Sequence, residues 1–404
     1  ASVIGKIRND GKYIVHNGKE EIVNAPAKQV TKGFLYNRPF KKPTLSLFEP
    51  EIPMLNDFGK TLLEILAHEN IASREPIFEK YDKQVQGRVH MESGTADSGV
   101  LAPFNSVDYP EEIRKVGIAL STDHNPRYSM IDPYWGGINA VVEAMRNVAA
   151  VGATPHAVTD CLCFGNPEKP NQMWEFVEGT RGVSDACKTI TLKEHPKNPT
   201  PIIAGNVSFY NESKNGSIPP SPIVSCLGKL KNIENSLPMN FQKSKSDILM
   251  IGERKNELGG SMYYQLHGEL GANVPKPDLI ETRNQIFAVT DCAEKKLMLS
   301  CHDISDGGIA VSIAEMTFAN NIGCNVTIPG ELEMSKLLFS ETGGFVIETD
   351  KDKTIDVRKI FKKYNLKIFK IGETGGNYIS LNNSINLGIE KAKNRWVNGL
   401  REKL

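Results

Sequence analysis

The 404 residues carry no excess of either charge, 48 Lys plus Arg standing against 48 Asp plus Glu. Nothing in that balance suits a surface that tracks along nucleic acid or an anionic membrane, so the expected partners are small molecules or proteins. No apolar run approaches the roughly 18 residues that span a bilayer, and the first residues lack the charged-then-apolar layout of a signal peptide, which points to the cytoplasm. Cysteine is sparse: Cys161, Cys163, Cys187, Cys226, Cys292, Cys301 and Cys324 are scattered, with no CxxC pair and no histidine at zinc-ligand spacing. That usage suits a reducing compartment and ordinary buried thiols.

Hydrophobic residues make up 40% of the chain, enough for two or three separately cored domains, since single cores rarely grow past about 250 residues. Asn9-Asp10-Gly11 and Asn17-Gly18 predict turns between short strands over 2–7, 12–16 and 20–23. Ile371-Gly372 with Gly375-Gly376-Asn377-Tyr378-Ile379 echoes Ile4-Gly5 with Gly11-Lys12-Tyr13-Ile14, so residues 1–41 read as the tail of a preceding homologous domain. Residues 42–70 read as a Pro-punctuated linker, irregular over 40–53, with a short amphipathic helix over 56–68. Strands and helices then alternate in two units, 71–232 and 247–388, closed by a helix over 389–404. Residues 188–201, rich in Lys, Pro and Thr, read as a surface loop.

Polar groups gather at the ends of predicted strands. The strand 118–120 runs into Ser121-Thr122-Asp123-His124-Asn125, and a helix is expected to start at Gly136-Gly137, with Ile138, Val141, Val142, Met145 and Ala149 on one face and Gly152 as C-cap. Glycines at a free helix amino terminus would admit a phosphate, although a plain strand–loop–helix connection has the same pattern. The strand 156–163 places Asp160 among apolar neighbours, where a carboxylate needs a metal, a cation or several donors. A structural network would satisfy it as well as a ligand. The strand 201–204 leads into Gly205-Asn206-Val207-Ser208, in which Asn206 and Ser208 share one side of an extended chain. Gly205 would admit a ligand against the backbone, Asn206 offers a neutral oxygen to magnesium and Ser208 a hydroxyl, whereas a glycine bulge with solvated neighbours is the bland alternative. A helix over 172–188 reads as structural, and one over 309–320 has Ile309, Ile313 and Met316 on one apolar face. His302-Asp303-Ile304-Ser305-Asp306-Gly307-Gly308 and Ser340-Glu341-Thr342-Gly343-Gly344 are further polar–glycine turns that by themselves could simply cap elements.

Taken together, Asp123-His124-Asn125-Pro126-Arg127-Tyr128, Asp132-Pro133-Tyr134-Trp135-Gly136-Gly137, the string from Asp160 to Pro170, and Gly205-Asn206-Val207-Ser208 resemble the second half of the phosphoribosylformylglycinamidine synthase II family, in the aminoimidazole ribonucleotide synthase-like superfamily. Ile71-Ala72-Ser73-Arg74, Asn256-Glu257-Leu258-Gly259-Gly260-Ser261 and Ile371-Gly372-Glu373 extend the likeness over nearly the whole chain. His124 stands where relatives commonly have cysteine, and Cys163 where they commonly have asparagine.

The resemblance implies a mixed α/β two-domain unit whose amino-terminal sheet pairs with that of a preceding copy into a barrel. It implies an ATP-dependent carbon–nitrogen ligase of purine biosynthesis that turns a formyl amide into an amidine, with ATP and Mg2+. By matching strings, Asp160 and Gly205 become ATP contacts, Asn206 a magnesium ligand and Ser208 a contact to the small-molecule substrate. The catalytic histidine is expected in the preceding copy, so no catalytic residue is assigned in this chain. Further expected partners are the first half of the same chain, a glutaminase subunit and a small bridging subunit, and a homodimer of this half through its open sheet. An aminoimidazole ribonucleotide synthase-like enzyme and a non-catalytic nucleotide-binding scaffold are the rival readings.

Overall fold

The computed structural model describes residues 1–33, 35–52 and 57–404. Near the start, Lys12–Asn17 and Glu20–Pro26 form a hairpin that runs into a short helix, Ala27–Lys32. Residues 2–7, expected as a strand, are irregular: Val3, Ile4 and Ile7 are exposed, and among the described residues no strand pairs with them. The helix expected over 56–68 is found at Phe58–Leu66, capped by Asp57. Asn56, at the start of that expectation, and Pro53, at the end of the expected linker, lie outside the described residues.

The first sheet has six strands in the order Val89–Met91, Gly99–Leu101, Gly117–Asp123, Ser221–Leu230, Thr154–Cys163, Ile202–Ser208. Neighbours are antiparallel except the last two, which are parallel. One face is covered by the helices Pro133–Ala150 and Pro170–Thr189. On the other face Leu101 and Leu120 are exposed, and Ile118, Ile223 and Leu227 are only half-buried. The expected loop over 188–201 is instead a hairpin, Thr191–Leu192 with His195–Pro199, pinned by a Lys193–Asp291 ion pair at 2.6 Å.

The second sheet has seven strands in the order Ser300–Ile304, Gly344–Thr349, Asp247–Ile251, Phe369–Thr374, Cys324–Val326, Tyr378–Leu381, Ile385–Gly388. Both its faces are covered. Leu249, Ile251, Phe345 and Ile347 pack towards the helix Leu279–Glu294, in one continuous core with Val141, Met145 and Val148 and with Ala119 and Val224 of the first sheet. Ile248, Met250 and Val346 pack on the other side with the helix Gly308–Phe318 and with Leu62, Ile65 and Leu66 of the Phe58–Leu66 helix. That helix, though it precedes the first sheet in sequence, belongs to the core of the second.

The Gly136-Gly137 pair does not begin a helix. The helix starts three residues earlier at Pro133, and Asp132 caps it by accepting from the backbone N–H of Tyr134 and Trp135. Both glycines are buried in its first turns because neighbours sit against their backbone. A Cβ on Gly137 would lie 2.3 Å from the Gly179 carbonyl oxygen, and one on Gly182 would lie 2.1 Å from the Tyr134 oxygen. These glycines therefore let two helices touch, and they are not available to a phosphate. Gly137→Ala should cost about 1–3 kcal/mol of stability in a denaturant titration, because the clash is with backbone and cannot be relieved by a rotamer change. A stabilised variant, as Gly→Ala gives in an open helix, would show that the crossing is looser than this.

Candidate functional site

The four residues singled out for ligand binding lie on two adjacent strands. In the parallel pair of Thr154–Cys163 with Ile202–Ser208, Asp160 stands opposite Gly205, Cys161 opposite Asn206 and Cys163 opposite Ser208. Because side chains alternate along a strand, Asp160 and Gly205 share the helix-covered face, whereas Asn206 and Ser208 share the open face. The edge strand is exposed along 202–207, so a ligand that reaches both faces must wrap this edge. Gly205 is needed for a spatial reason, since a Cβ there would come within 2.6 Å of Asp160 Oδ1. Burial pushes the Asp160 carboxyl above its ordinary pKa, and a hydrogen bond from the Asn206 backbone pulls it back down. Asn206 Nδ2 lies 3.7 Å from Cys161 Sγ, which turns Oδ1 of the planar amide away from that sulfur. Ser208 Oγ is 3.2 Å from Asn211 Oδ1, and Asn211 Nδ2 donates to the Ser208 carbonyl oxygen at 2.8 Å.

A second constellation sits where the two sheets meet. Asp123 is in register with Val224, which is in register with Asp160, so the two carboxylates belong to one row across the sheet, two strand spacings apart. Asn147 Nδ2 donates to Asp123 Oδ2 at 2.7 Å. Around Asp123 gather Glu143 from the same helix, Asp303 and Asp306 from the end of Ser300–Ile304, and Asp97 and His302, lining a cavity of about 280 Å³. Glu341 lies just beyond, accepting from the N–H of Gly307 at 2.7 Å and of Met262 at 2.8 Å, and from the Tyr128 hydroxyl. Gly307 can present its N–H there because it adopts a left-handed conformation, φ 82°.

Cations are few among so many acids. Arg146 Nε is 3.5 Å from Asp303 Oδ2, and its Nη2 is 3.9 Å from Glu143. Burial alone would lower the His302 pKa, but Asp97 Oδ1 at 2.7 Å and Glu315 Oε2 at 3.1 Å raise it well above its ordinary value. Asp97, His302 and Asp303 have metal-like spacing, and both ring nitrogens of His302 already face carboxylates, Asp97 and Glu315. The carboxyls respond in turn. Burial, then the charge of Asp303, pushes Asp123 up to about 7; burial pushes Asp303 up to about 6 and Glu341 to about 8. His124, whose pKa burial lowers to about 4, has no hydrogen-bond partner among the described residues.

Sequence reasoning had Asp123, Asp303, Asp306 and Glu341 in view but not Asp97, Glu143, Arg146 or Glu315. The available signal was a Glu–Arg pair at i, i+3 inside an otherwise apolar helix, where buried charges are rare unless paired.

Two cored units, each an open or mixed sheet with helices packed across it, joined through one shared helix, are the architecture of an AIR synthase-related protein. Residues 97–230 match the family described as AIR synthase related protein, N-terminal domain, and residues 246–380 the corresponding C-terminal domain. The phosphoribosylformylglycinamidine synthase subunit PurL of Methanothrix thermoacetophila is 42% identical over all of this chain and 52% of its own length. That of Methanocaldococcus jannaschii is 36% identical over 98% of this chain and 54% of its own. The chain belongs to this PurL branch of the AIR synthase-related family, and it spans about half the length of the curated relatives it matches. Among solved structures, Thermotoga maritima PurL complexed with FGAR superposes at a TM-score of 0.64, with 16% identity over 83% of this chain and 53% of that one, a likeness of fold. The same protein complexed with ATP gives 0.54 at 16% identity, over 91% of this chain and 49% of that one.

The raised carboxyl pKa values set a pH dependence. A group whose folded pKa lies above its unfolded value keeps a proton that the unfolded chain releases, so stability is lost as pH rises through the interval between the two. For Asp303, Asp123 and Glu341 that interval runs from about 4 to between about 6 and 8, and raised His302 acts in the same direction. The melting temperature should therefore fall between pH 5 and pH 8 at constant ionic strength. Asp123→Asn should raise it at pH 8 and leave it nearly unchanged at pH 5. A melting temperature that climbs over this range, in scanning fluorimetry, would contradict the charge assignment.

Proposed function

We propose that this chain is the second half of the synthase subunit of phosphoribosylformylglycinamidine synthase and supplies one wall of an active site completed by the first half. The observation that carries this is its likeness, over its whole length, to half of each PurL relative, combined with an uncovered sheet face whose edge strand bears Gly205, Asn206 and Ser208. The reaction is the ATP-dependent conversion of formylglycinamide ribonucleotide, with glutamine-derived ammonia, to the amidine. In it the substrate amide oxygen attacks the γ-phosphate of ATP, and ammonia then displaces phosphate.

Within that site Asp160 and Gly205 contact ATP, with Gly205 leaving room for the Asp160 carboxylate at the strand edge. Asn206 offers Oδ1 to magnesium, whose role when bound is to spread the phosphate charge. Ser208 donates to the substrate amide. The first half provides the catalytic histidine, and a glutaminase subunit with a small bridging subunit provides ammonia; the Thermotoga maritima relative is known in a PurLQS structure. Such an enzyme works in the cytoplasm, and no helix of the described residues is long and apolar enough to cross a membrane.

A second reading, nucleotide and magnesium held without chemistry, draws on the cavity around Asp123. Its surplus of buried carboxylates is what divalent cations would relieve. Calorimetry with ATP and Mg2+ should show binding that weakens in Asp123→Asn; no heat at millimolar concentrations would remove this reading and leave the first intact.

The isolated chain should yield no amidine from substrate, ATP and ammonia, and should self-associate through Leu101, Ile118, Leu120 and Leu227, since soluble proteins seldom leave such a face bare. Product formation by the pure chain, or a monomer in sedimentation, would overturn the respective claim. Joined to its first half, the enzyme should lose turnover on Asn206→Ala, and Ser208→Ala should weaken use of the substrate amide more than of ATP. Each change should cost roughly 2.7–4 kcal/mol of barrier where the contact acts in the transition state. Steady-state constants unchanged in both variants would show that the wrong strand has been assigned.

A further inference from the structure

Five of the seven cysteines are buried, and Cys161 and Cys163 are the two that are not. They sit two residues apart on the open face of the Thr154–Cys163 strand. Alternate residues of a strand are separated by about 6.6 Å along the backbone, yet these two sulfurs lie 3.7 Å apart. The side chains therefore lean towards each other. Two thiolates bound to one tetrahedral ion at Zn–S distances of about 2.3 Å would be separated by about 3.8 Å, so the pair already has the spacing of one edge of such a site. Asn206 Nδ2 lies 3.7 Å from Cys161 Sγ, and Ser208 is in register with Cys163, so an amide and a hydroxyl adjoin the pair on the same face.

We propose that Cys161 and Cys163 form a two-sulfur site for a soft divalent cation of the zinc group, with its remaining positions open to water or to neighbouring oxygens. On binding, each thiol gives its proton to solvent and each sulfur donates a lone pair to the ion; no electron is transferred. Thiolates favour such ions, whereas magnesium prefers oxygen. The site is thus chemically distinct from the magnesium role proposed for Asn206, although the two are neighbours, and it does not depend on the proposed reaction.

Cadmium is a suitable probe because its thiolate complexes absorb in the near ultraviolet. Titration of the reduced 404-residue chain with Cd2+ should saturate at a single equivalent, with a sulfur-to-cadmium charge-transfer band and release of protons in weak buffer. The band should survive excess Mg2+. It should be lost in Cys161→Ser and in Cys163→Ser, both of which should keep the parent melting temperature, and it should persist in Cys187→Ser. A band that either single variant retains, that requires Cys187, or that Mg2+ displaces would overturn the proposal, as would the absence of any band.

Discussion

The helix Pro133–Ala150 has almost no side that faces water: fourteen of its eighteen residues are buried. It lies between the first sheet and the helix Leu279–Glu294 that backs the second, and both units bury apolar side chains against it in one core. A helix so placed must be small where it is crossed and apolar where it meets a sheet, hence Gly136 and Gly137 near its start and Val141, Met145 and Val148 further on. Removing it would uncover both domains at once, so the two units form one body rather than two modules on a tether.

The same burial explains the charge at the junction. Glu143, Arg146 and Asn147 occupy a short, largely buried stretch of this helix, and they meet what the two sheets present: Asn147 donates to Asp123 of one, and Arg146 lies beside Asp303 of the other. Carboxylates outnumber cations there, and burial of the surplus pushes the pKa values of Asp123, Asp303 and Glu341 upward, towards the neutral form. Desolvation keeps such groups neutral more cheaply than ionised. Arg146, beside Asp303, also lines a second cavity of about 400 Å³ with a mixed-charge wall.

The edge of the first sheet follows the opposite rule. There the helices stop short, the last strand is exposed, and one face of the sheet keeps Leu120 52% exposed. Uncovered apolar surface of this kind is one that soluble proteins seldom leave bare. The polar groups are thus divided in space: titratable carboxyls crowd inside, where the two units meet, and Gly205, Asn206 and Ser208 stand at the rim of the first sheet.

Much of this was legible in the sequence, for local reasons. The periodicity of 138–149 and 309–320, the alternation around Asp160, and the shared side of Asn206 and Ser208 follow from backbone geometry, and each was found close to where the pattern put it. Long strings such as Asp160 to Pro170 carried the family. What pattern could not supply was what each residue meets. Gly136-Gly137 has the local signature of a phosphate-binding turn, but its purpose depends on Gly179 and Ser129 of other segments. Residues 2–7 have strand composition but pair with no strand among the described residues. The register that sets Asp160 beside Gly205, the choice of which sheet face the helices cover, and the gathering of Asp97, Glu143 and Glu315 with residues far away in sequence were decided by tertiary packing. Side-chain direction and burial belong to the assembled sheets, because a segment's own sequence sets its period but not its neighbours.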